Sequence, residues 1–128
     1  MNADYSHRTL IQKLGFQPGD TVFVETTPDW YSKFADENGL DLTSGLPATH
    51  AHIFCESKQD LLDFLNQNSL EDIEKSLWLS WPKKSSGVKA DVNDHDFREQ
   101  VLPTGWVDVK VAAIDDTWSG AKFVRRKN

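Results

Sequence analysis

Short apolar runs typical of buried strands alternate along this chain with stretches typical of amphipathic helices. The first run, residues 21–24, follows a turn signal that contains Pro18 and Gly19. The predicted strands, about five in number, are residues 21–24, 48–55, 77–81, 106–114 and 121–126. Because helix-like stretches separate most of them, the alternation predicts an α/β fold with a mostly parallel sheet.

Helix-capping residues mark the starts of the intervening helices. Thr27 precedes Pro28, an order typical of an N-cap followed by the first helical position. The predicted N-caps are Ser6, Thr27, Ser57, Ser69 and Asp91. Right-handed crossovers place such helices on both faces of the sheet, so we expect three layers.

The last two predicted strands lie close together in the sequence. Residues 115–120 between them contain two aspartates and a glycine, which is typical of a hairpin turn. We therefore expect a C-terminal antiparallel hairpin strand at one edge of the sheet. No repeat or long linker divides residues 1–128, and the sequence predicts a single α/β domain.

Charge and cysteine usage exclude several classes of protein. The chain has 20 acidic and 14 basic side chains, a net charge of −6, so we expect no nucleic-acid or membrane partner. Cys55 is the single cysteine, which excludes an internal disulfide framework and a cysteine-based zinc site. No apolar run approaches the ~20 residues of a membrane span. Residues 1–5 lack the apolar region of a signal peptide, and a cytoplasmic protein is expected.

Two segments carry a resemblance to a known family. They are Ser80-Trp81-Pro82-Lys83-Lys84 and Thr117-Trp118-Ser119-Gly120. Together they resemble an uncharacterised family of small bacterial proteins, a domain of unknown function. The resemblance extends over most of the chain from Leu14 onward. It implies a fold and supplies no activity.

A looser resemblance concerns the order of the elements. A helix, residues 14–20 and a strand look like the entry to the first strand of a class I methyltransferase, and residues 106–126 look like its final hairpin. In those enzymes a glycine-rich turn follows the first strand and approaches S-adenosylmethionine. Residues 25–29 contain no glycine here, and the chain is too short for all seven strands. The resemblance therefore implies an abridged methyltransferase or Rossmann-like fold, and we expect no cofactor.

The loops after the parallel strands form the candidate ligand site, because α/β sheets bind ligands beyond their carboxyl ends. Two lysines and two serines follow the third strand and can hold an anion, while two tryptophans can line a pocket. The candidate ligand-binding residues are Trp81, Lys83, Lys84, Ser85, Ser86, Thr117, Trp118 and Ser119. The alternative is structural: solvated lysines, and a Trp118 that covers the sheet edge.

Other reactive side chains give no convincing catalytic or metal constellation. His50 and His52 share one face of a strand and can begin a metal site, or they can be packed and hydrogen-bonded. Cys55 precedes a helix N-terminus, where the helix dipole lowers a thiol pKa, although a buried core cysteine is the plainer interpretation. Asp115 and Asp116 point to opposite faces, which favours turn chemistry over an acid/base pair.

These observations predict a non-catalytic binding or regulatory module that uses the strand-end face. Its partner is expected to be a small anionic ligand or a protein. One alternative is a small enzyme, a transferase or hydrolase, that acts on an anionic substrate at the same face. The other alternative is a protein–protein interaction adaptor.

Overall fold

The computed structural model describes residues 9–126. The strands are β1 (Thr21–Glu25), β2 (Asp41–Thr43), β3 (Ala48–Phe54), β4 (Ile73–Pro82), β5 (Trp106–Ala113) and β6 (Trp118–Arg125). The α-helices are α1 (Leu10–Leu14), α2 (Tyr31–Glu37), α3 (Lys58–Gln67) and α4 (Asp94–Val101). Short 3₁₀ helices span Leu70–Asp72, Lys84–Ser86 and Leu102–Thr104. No helix of this described part is long and apolar enough to cross a membrane.

The strands form one sheet with the order β2-β1-β3-β4-β6-β5. Neighbouring strands are parallel except where β6 pairs with β4 and with β5. The predicted α/β fold with a mostly parallel sheet and an antiparallel C-terminal strand is confirmed. The sheet has six strands where about five were expected. The additional strand, β2, is three residues long, too short to show an alternation in the sequence.

The expected position of the antiparallel strand was wrong. β6 lies between β4 and β5, so that Lys122 pairs with Trp78 on one side and with Lys110 on the other. The edge strand is β5, in which Val109 and Val111 are about half exposed. The hairpin returns on the side that faces β4 because β6 can then bury Ala121 and Phe123, both with 0% exposure, in the core.

Helices cover both faces of the sheet, as predicted. The face packed against α3 and α4, called the α3–α4 face, buries Phe23, Leu61, Phe64, Leu77 and Phe97. The opposite α1–α2 face buries Leu14, Val22, Tyr31, Phe54, Trp78 and Trp118. Trp78 and Trp81 pack into different faces, which confirms the interpretation drawn from their odd spacing in β4.

Two of the predicted helix caps are confirmed. Ser57 caps α3 by accepting a hydrogen bond from the amide of Asp60 at 3.1 Å. Ser69 starts the short helix Leu70–Asp72. Ser6 lies outside the described residues.

Two predicted caps were wrong. Thr27 does not cap α2, because the loop continues to Trp30 and the helix begins at Tyr31. Asn93 replaces Asp91 as the cap of α4. The Asp91 carboxylate instead accepts a hydrogen bond from the amide of Lys58 at 2.8 Å, at the start of α3. Each replacement satisfies backbone donors that the predicted cap would have left to water.

Candidate functional site

The carboxyl ends of the parallel strands β1, β3, β4 and β5 lie at the same end of the sheet. We call this region the strand-end face. Its loops are residues 26–30 after β1, 55–57 after β3, 83–93 after β4 and 114–117 between β5 and β6. Ligands of open α/β sheets bind in this position.

The structure brings two of the predicted site segments together. The amide of Lys83 donates a hydrogen bond to the carbonyl oxygen of Thr117 at 2.8 Å. This bond places the lysine loop beside the β5–β6 turn. Lys84 and Ser85 are exposed, whereas Lys83 and Thr117 are half-buried.

Ser86 shapes the lysine loop. Its hydroxyl donates to the carbonyl oxygen of Lys83 at 2.6 Å and accepts from the amide of Val88 at 3.2 Å. The loop then turns through Gly87, whose φ of 81° lies in the left-handed region that glycine adopts readily. Ser86 therefore holds the backbone that presents Lys84 and Ser85 to solvent.

The two predicted wall residues do not face each other. Trp118 pairs with Pro82 and lies on the α1–α2 face, where its ring packs edge-on against Phe54 at a centroid distance of 5.0 Å. Trp81 pairs with Ser119 and lies on the α3–α4 face, against the ring of Phe97 at 5.7 Å. Because Trp118 is only 9% exposed, its placement favours the structural alternative.

Asp115 organises the β5–β6 turn. One carboxylate oxygen accepts hydrogen bonds from the amides of Thr117 and Trp118, at 2.8 and 2.7 Å. This geometry confirms the predicted turn chemistry. The other oxygen accepts from the indole Nε1 of Trp30 at 2.9 Å.

The Trp30–Asp115 hydrogen bond joins opposite parts of the strand-end face. Trp30 follows β1 and Asp115 follows β5, with β3, β4 and β6 between those strands in the sheet. The Trp30 ring stacks on Tyr31 at 5.3 Å, and Tyr31 meets Phe54 edge-on at 5.7 Å. Side chains of the protein itself therefore fill the strand-end face on the α1–α2 side. The sequence analysis missed this contact and gave Trp30 only a core role.

His52 lies in a buried polar chain on the α1–α2 face. Its Nδ1 is 2.7 Å from the Tyr31 hydroxyl, and its Nε2 is 2.9 Å from the Ser80 hydroxyl. Burial lowers the pKa of His52 to about 3, and burial also raises the pKa of Tyr31. The imidazole is therefore neutral at pH 7, and both of its nitrogens are used in hydrogen bonds.

His50 joins a second polar chain on the same face. Its Nε2 is 2.8 Å from an Asp20 carboxylate oxygen, and its Nδ1 is 2.6 Å from the Ser76 hydroxyl. Phe16 stacks on the imidazole at a centroid distance of 4.2 Å. Burial lowers the pKa of His50 despite the nearby Asp20 carboxylate. A serine, a histidine and an aspartate meet here, but Ser76 is only 2% exposed and no substrate carbonyl can reach it.

The histidines lie on one face, as predicted, and each is held by hydroxyl or carboxylate partners of the protein. Within residues 9–126, no group of three or more His, Cys, Asp or Glu side chains is arranged to hold a metal ion.

Cys55 is fully buried at the end of β3. Burial, with the charges of Asp60 and Glu25, raises the pKa of its thiol to about 12. The predicted lowering by the helix dipole was wrong, because loss of solvation and two carboxylates outweigh it. Cys55 is a core thiol, in agreement with the plainer of its two interpretations.

Two depressions lie at opposite ends of the sheet. One, of about 530 Å³, opens beside the lysine loop and is lined by Glu56, Val88, Lys89, Ala90 and Asp91. A larger one, of about 960 Å³, lies near the start of β1 between α1 and the end of α2. The fold leaves a shallow surface beside the predicted anion loop.

A family model matches residues 53–128, a stretch that contains both signature segments. The chain belongs to the family described as Domain of unknown function (DUF8412). The predicted resemblance is confirmed, and the match begins at residue 53, later than the Leu14 expected from the sequence. No curated protein matches the chain.

Solved structures show the fold class. The chain is similar to a protein in the NADB-Rossmann superfamily from Streptococcus agalactiae, with a TM-score of 0.57, 13% identity, and coverage of 100% of this chain and 72% of that one. It is also similar to a ribosomal protein L11 methylase from Lactobacillus delbrueckii subsp. bulgaricus, at 0.51, 12%, 92% and 76%.

A third similar structure is LepI in complex with SAH and a substrate analogue, at 0.52, 11%, 91% and 39% in the same order. At these identities the similarity concerns the fold alone. The protein has a Rossmann-like fold, consistent with an abridged methyltransferase architecture.

Proposed function

We propose that this protein is a non-catalytic binding module that has kept a Rossmann-like sheet and holds a small anionic ligand beside the lysine loop. The hydrogen bond between Trp30 and Asp115 carries the proposal. It joins the loop after β1 to the β5–β6 turn, above a layer formed by Tyr31, Phe54 and Trp118. A substrate entering from the α1–α2 side would have to displace these aromatic side chains.

The available reactive groups support a non-catalytic role. Ser76 is buried, the Cys55 thiol is protonated at neutral pH, and His52 is neutral and enclosed. Nucleophilic catalysis needs a nucleophile that a substrate can reach and a base poised to activate it. None of these three side chains meets both requirements.

The loop after β1 does not fit S-adenosylmethionine, the methyl donor of the methyltransferases that share this fold. Close approach of the backbone to such a cofactor normally requires glycine. This loop has Thr26 at a φ of 58°, where glycine is favoured, and then Pro28, which has no amide to donate. The Trp30 ring follows and bonds to Asp115.

Isothermal titration with S-adenosylmethionine should therefore give no saturable heat at millimolar concentration. The physical reason is that Thr26, Pro28 and Trp30 leave neither backbone donors nor space for the cofactor. A variant that opens the face, Trp30→Ala, serves as the control for access. Saturable micromolar binding to the parent protein would contradict the proposal and favour the small-enzyme alternative.

The lysine loop supplies the charge for an anion. Lys83 and Lys84 are adjacent ammonium groups in a protein whose net charge is −6, and Ser85 adds an exposed hydroxyl. The bond from Lys83 to Thr117 fixes this loop against the β5–β6 turn. A fixed loop loses less conformational entropy when it binds, which favours a specific site over two mobile lysines.

Inorganic phosphate and ADP are the probes for this site. We expect the double variant Lys83→Ala/Lys84→Ala to bind ADP about tenfold more weakly or worse, because charge-assisted hydrogen bonds are lost. Titration calorimetry gives the affinities. The matched control, Lys33→Ala/Lys75→Ala, removes the same charge from exposed positions away from the strand-end face. Equal losses in both variants, or no ADP binding by the parent protein, would contradict the site.

A further inference from the structure

A second cationic region lies on the α1–α2 face, away from the lysine loop. It contains Lys13, Lys75, Lys110 and Lys122, and we call it the lysine face. Lys110 pairs directly with Lys122 across β5 and β6, and Lys122 pairs with Trp78 across β6 and β4. Paired residues of neighbouring strands project from the same side of the sheet, so the two ammonium groups share one surface.

Specific contacts draw these lysines together around α1. The Lys110 ammonium lies 5.8 Å from the centroid of the Trp78 ring, and Trp78 donates its indole hydrogen bond to the carbonyl oxygen of Leu14 at 3.1 Å. Lys13, in the last turn of α1, donates to the carbonyl oxygen of Ala113 at 3.2 Å. The end of α1 therefore lies among the lysines of β5 and β6.

Lys75 extends the lysine face toward the start of β4. The charges of Lys75 and Lys122 both lower the pKa of His50, which places the two lysines on either side of that imidazole. Lys75 is exposed and Lys122 is half-buried. Among the ion pairs of residues 9–126, none joins Lys13, Lys75 or Lys122 to a carboxylate.

Like charges directly opposite each other on a sheet are destabilising. The rest of the chain holds 20 acidic side chains and ten basic ones once these four lysines are set aside, yet the strands bring Lys110 and Lys122 face to face. An arrangement that breaks a local rule in this way is typical of a functional surface. A negatively charged partner would remove the repulsion.

We propose that the lysine face binds an acidic protein segment that also carries apolar side chains. Val107 and Val124 pair beside the lysines on the same face, and both are half-buried. They provide apolar contacts between the cations. The four cations are all lysines, without the planar arginine fork that phosphate groups favour, and the acidic remainder of the chain would repel a long nucleic acid.

A synthetic peptide that alternates glutamate and leucine is the probe, followed by fluorescence anisotropy with the full chain. We expect Lys110→Gln/Lys122→Gln to bind it about tenfold more weakly than the parent protein. Glutamine keeps most of the side-chain stem over Trp78, so the variant should fold, and near-UV circular dichroism checks this. The single variant Lys75→Gln, at an exposed position, should weaken binding by about twofold.

The reciprocal control is Lys83→Gln/Lys84→Gln, which should bind the peptide as the parent protein does. This control also separates the present proposal from the ADP site, because each pair of lysines should affect only its own ligand. Equal weakening in both double variants would mean that only net charge matters, and the proposal would fail. Tighter binding of an oligouridine than of the peptide would overturn the choice of a protein partner.

Discussion

Replacing Trp118 with alanine should lower the free energy of unfolding by about 3–5 kcal/mol, the range for a large aromatic side chain removed from a core. The indole is 9% exposed and packs edge-on against Phe54 on the α1–α2 face. Its loss would leave a cavity below the Trp30 ring. Urea denaturation followed by fluorescence or circular dichroism measures the change.

The matched control for Trp118 is Val111→Ala, in the neighbouring strand β5. Val111 is 53% exposed, so its truncation should change the free energy of unfolding by less than about 0.5 kcal/mol. Trp118→Ala should retain ADP affinity in the folded fraction. A variant of near-normal stability that no longer binds ADP would make Trp118 a ligand contact and contradict its structural assignment.

Acid should destabilise the protein through its buried histidines. Burial lowers the pKa of His52 from 6.5 to about 3, so between these values the unfolded chain binds a proton that the folded chain does not. Stability from this group is fully present above pH 6.5 and is lost as pH falls toward 3. The slope from this group is at most about 1.4 kcal/mol for each pH unit. Burial of His50 acts in the same direction.

Urea denaturation at a series of pH values measures this slope. In His52→Gln, which cannot take up the proton, the slope between pH 6 and pH 4 should be smaller by up to about 1.4 kcal/mol for each unit. The control is His95→Gln on α4, whose side chain is 72% exposed. An unchanged slope in His52→Gln would show that His52 is not held neutral by burial.

Local patterns were enough to predict much of the fold. The turn and capping signals separated the strands from the helices, and the aspartate-rich turn predicted the hairpin between β5 and β6. The odd spacing of Trp78 and Trp81 placed them on opposite faces. These features depend on residues close together in the chain, where backbone preferences act directly.

Features that depend on distant contacts could not be predicted in the same way. The hairpin pattern is the same whether β6 lies at the edge or beside β4. The one available signal was Asp108 and Lys110 in β5, because charged side chains are common in edge strands. β2 offered no signal, since three residues cannot establish a period.

The candidate site shows the same division. The loop residues Lys83 and Thr117 were predicted to lie close together, and a backbone hydrogen bond joins them. Trp30 and Asp115 are 85 positions apart, and no pattern in either segment indicates the bond between them. The hydroxyl and carboxylate partners of His50 and His52 likewise come from other elements. Their pairing follows from packing.

The proposal that the strand-end face is closed and that ligands bind outside it can be tested with one chemical-shift map. Titration of the labelled protein with ADP reports every backbone amide and the indole N–H of Trp30. The account predicts shifts confined to residues 83–87 and 115–117, with the Trp30 indole signal unchanged. Shifts of that indole and of residues 26–31 would place the ligand in the strand-end face itself, and would contradict the account.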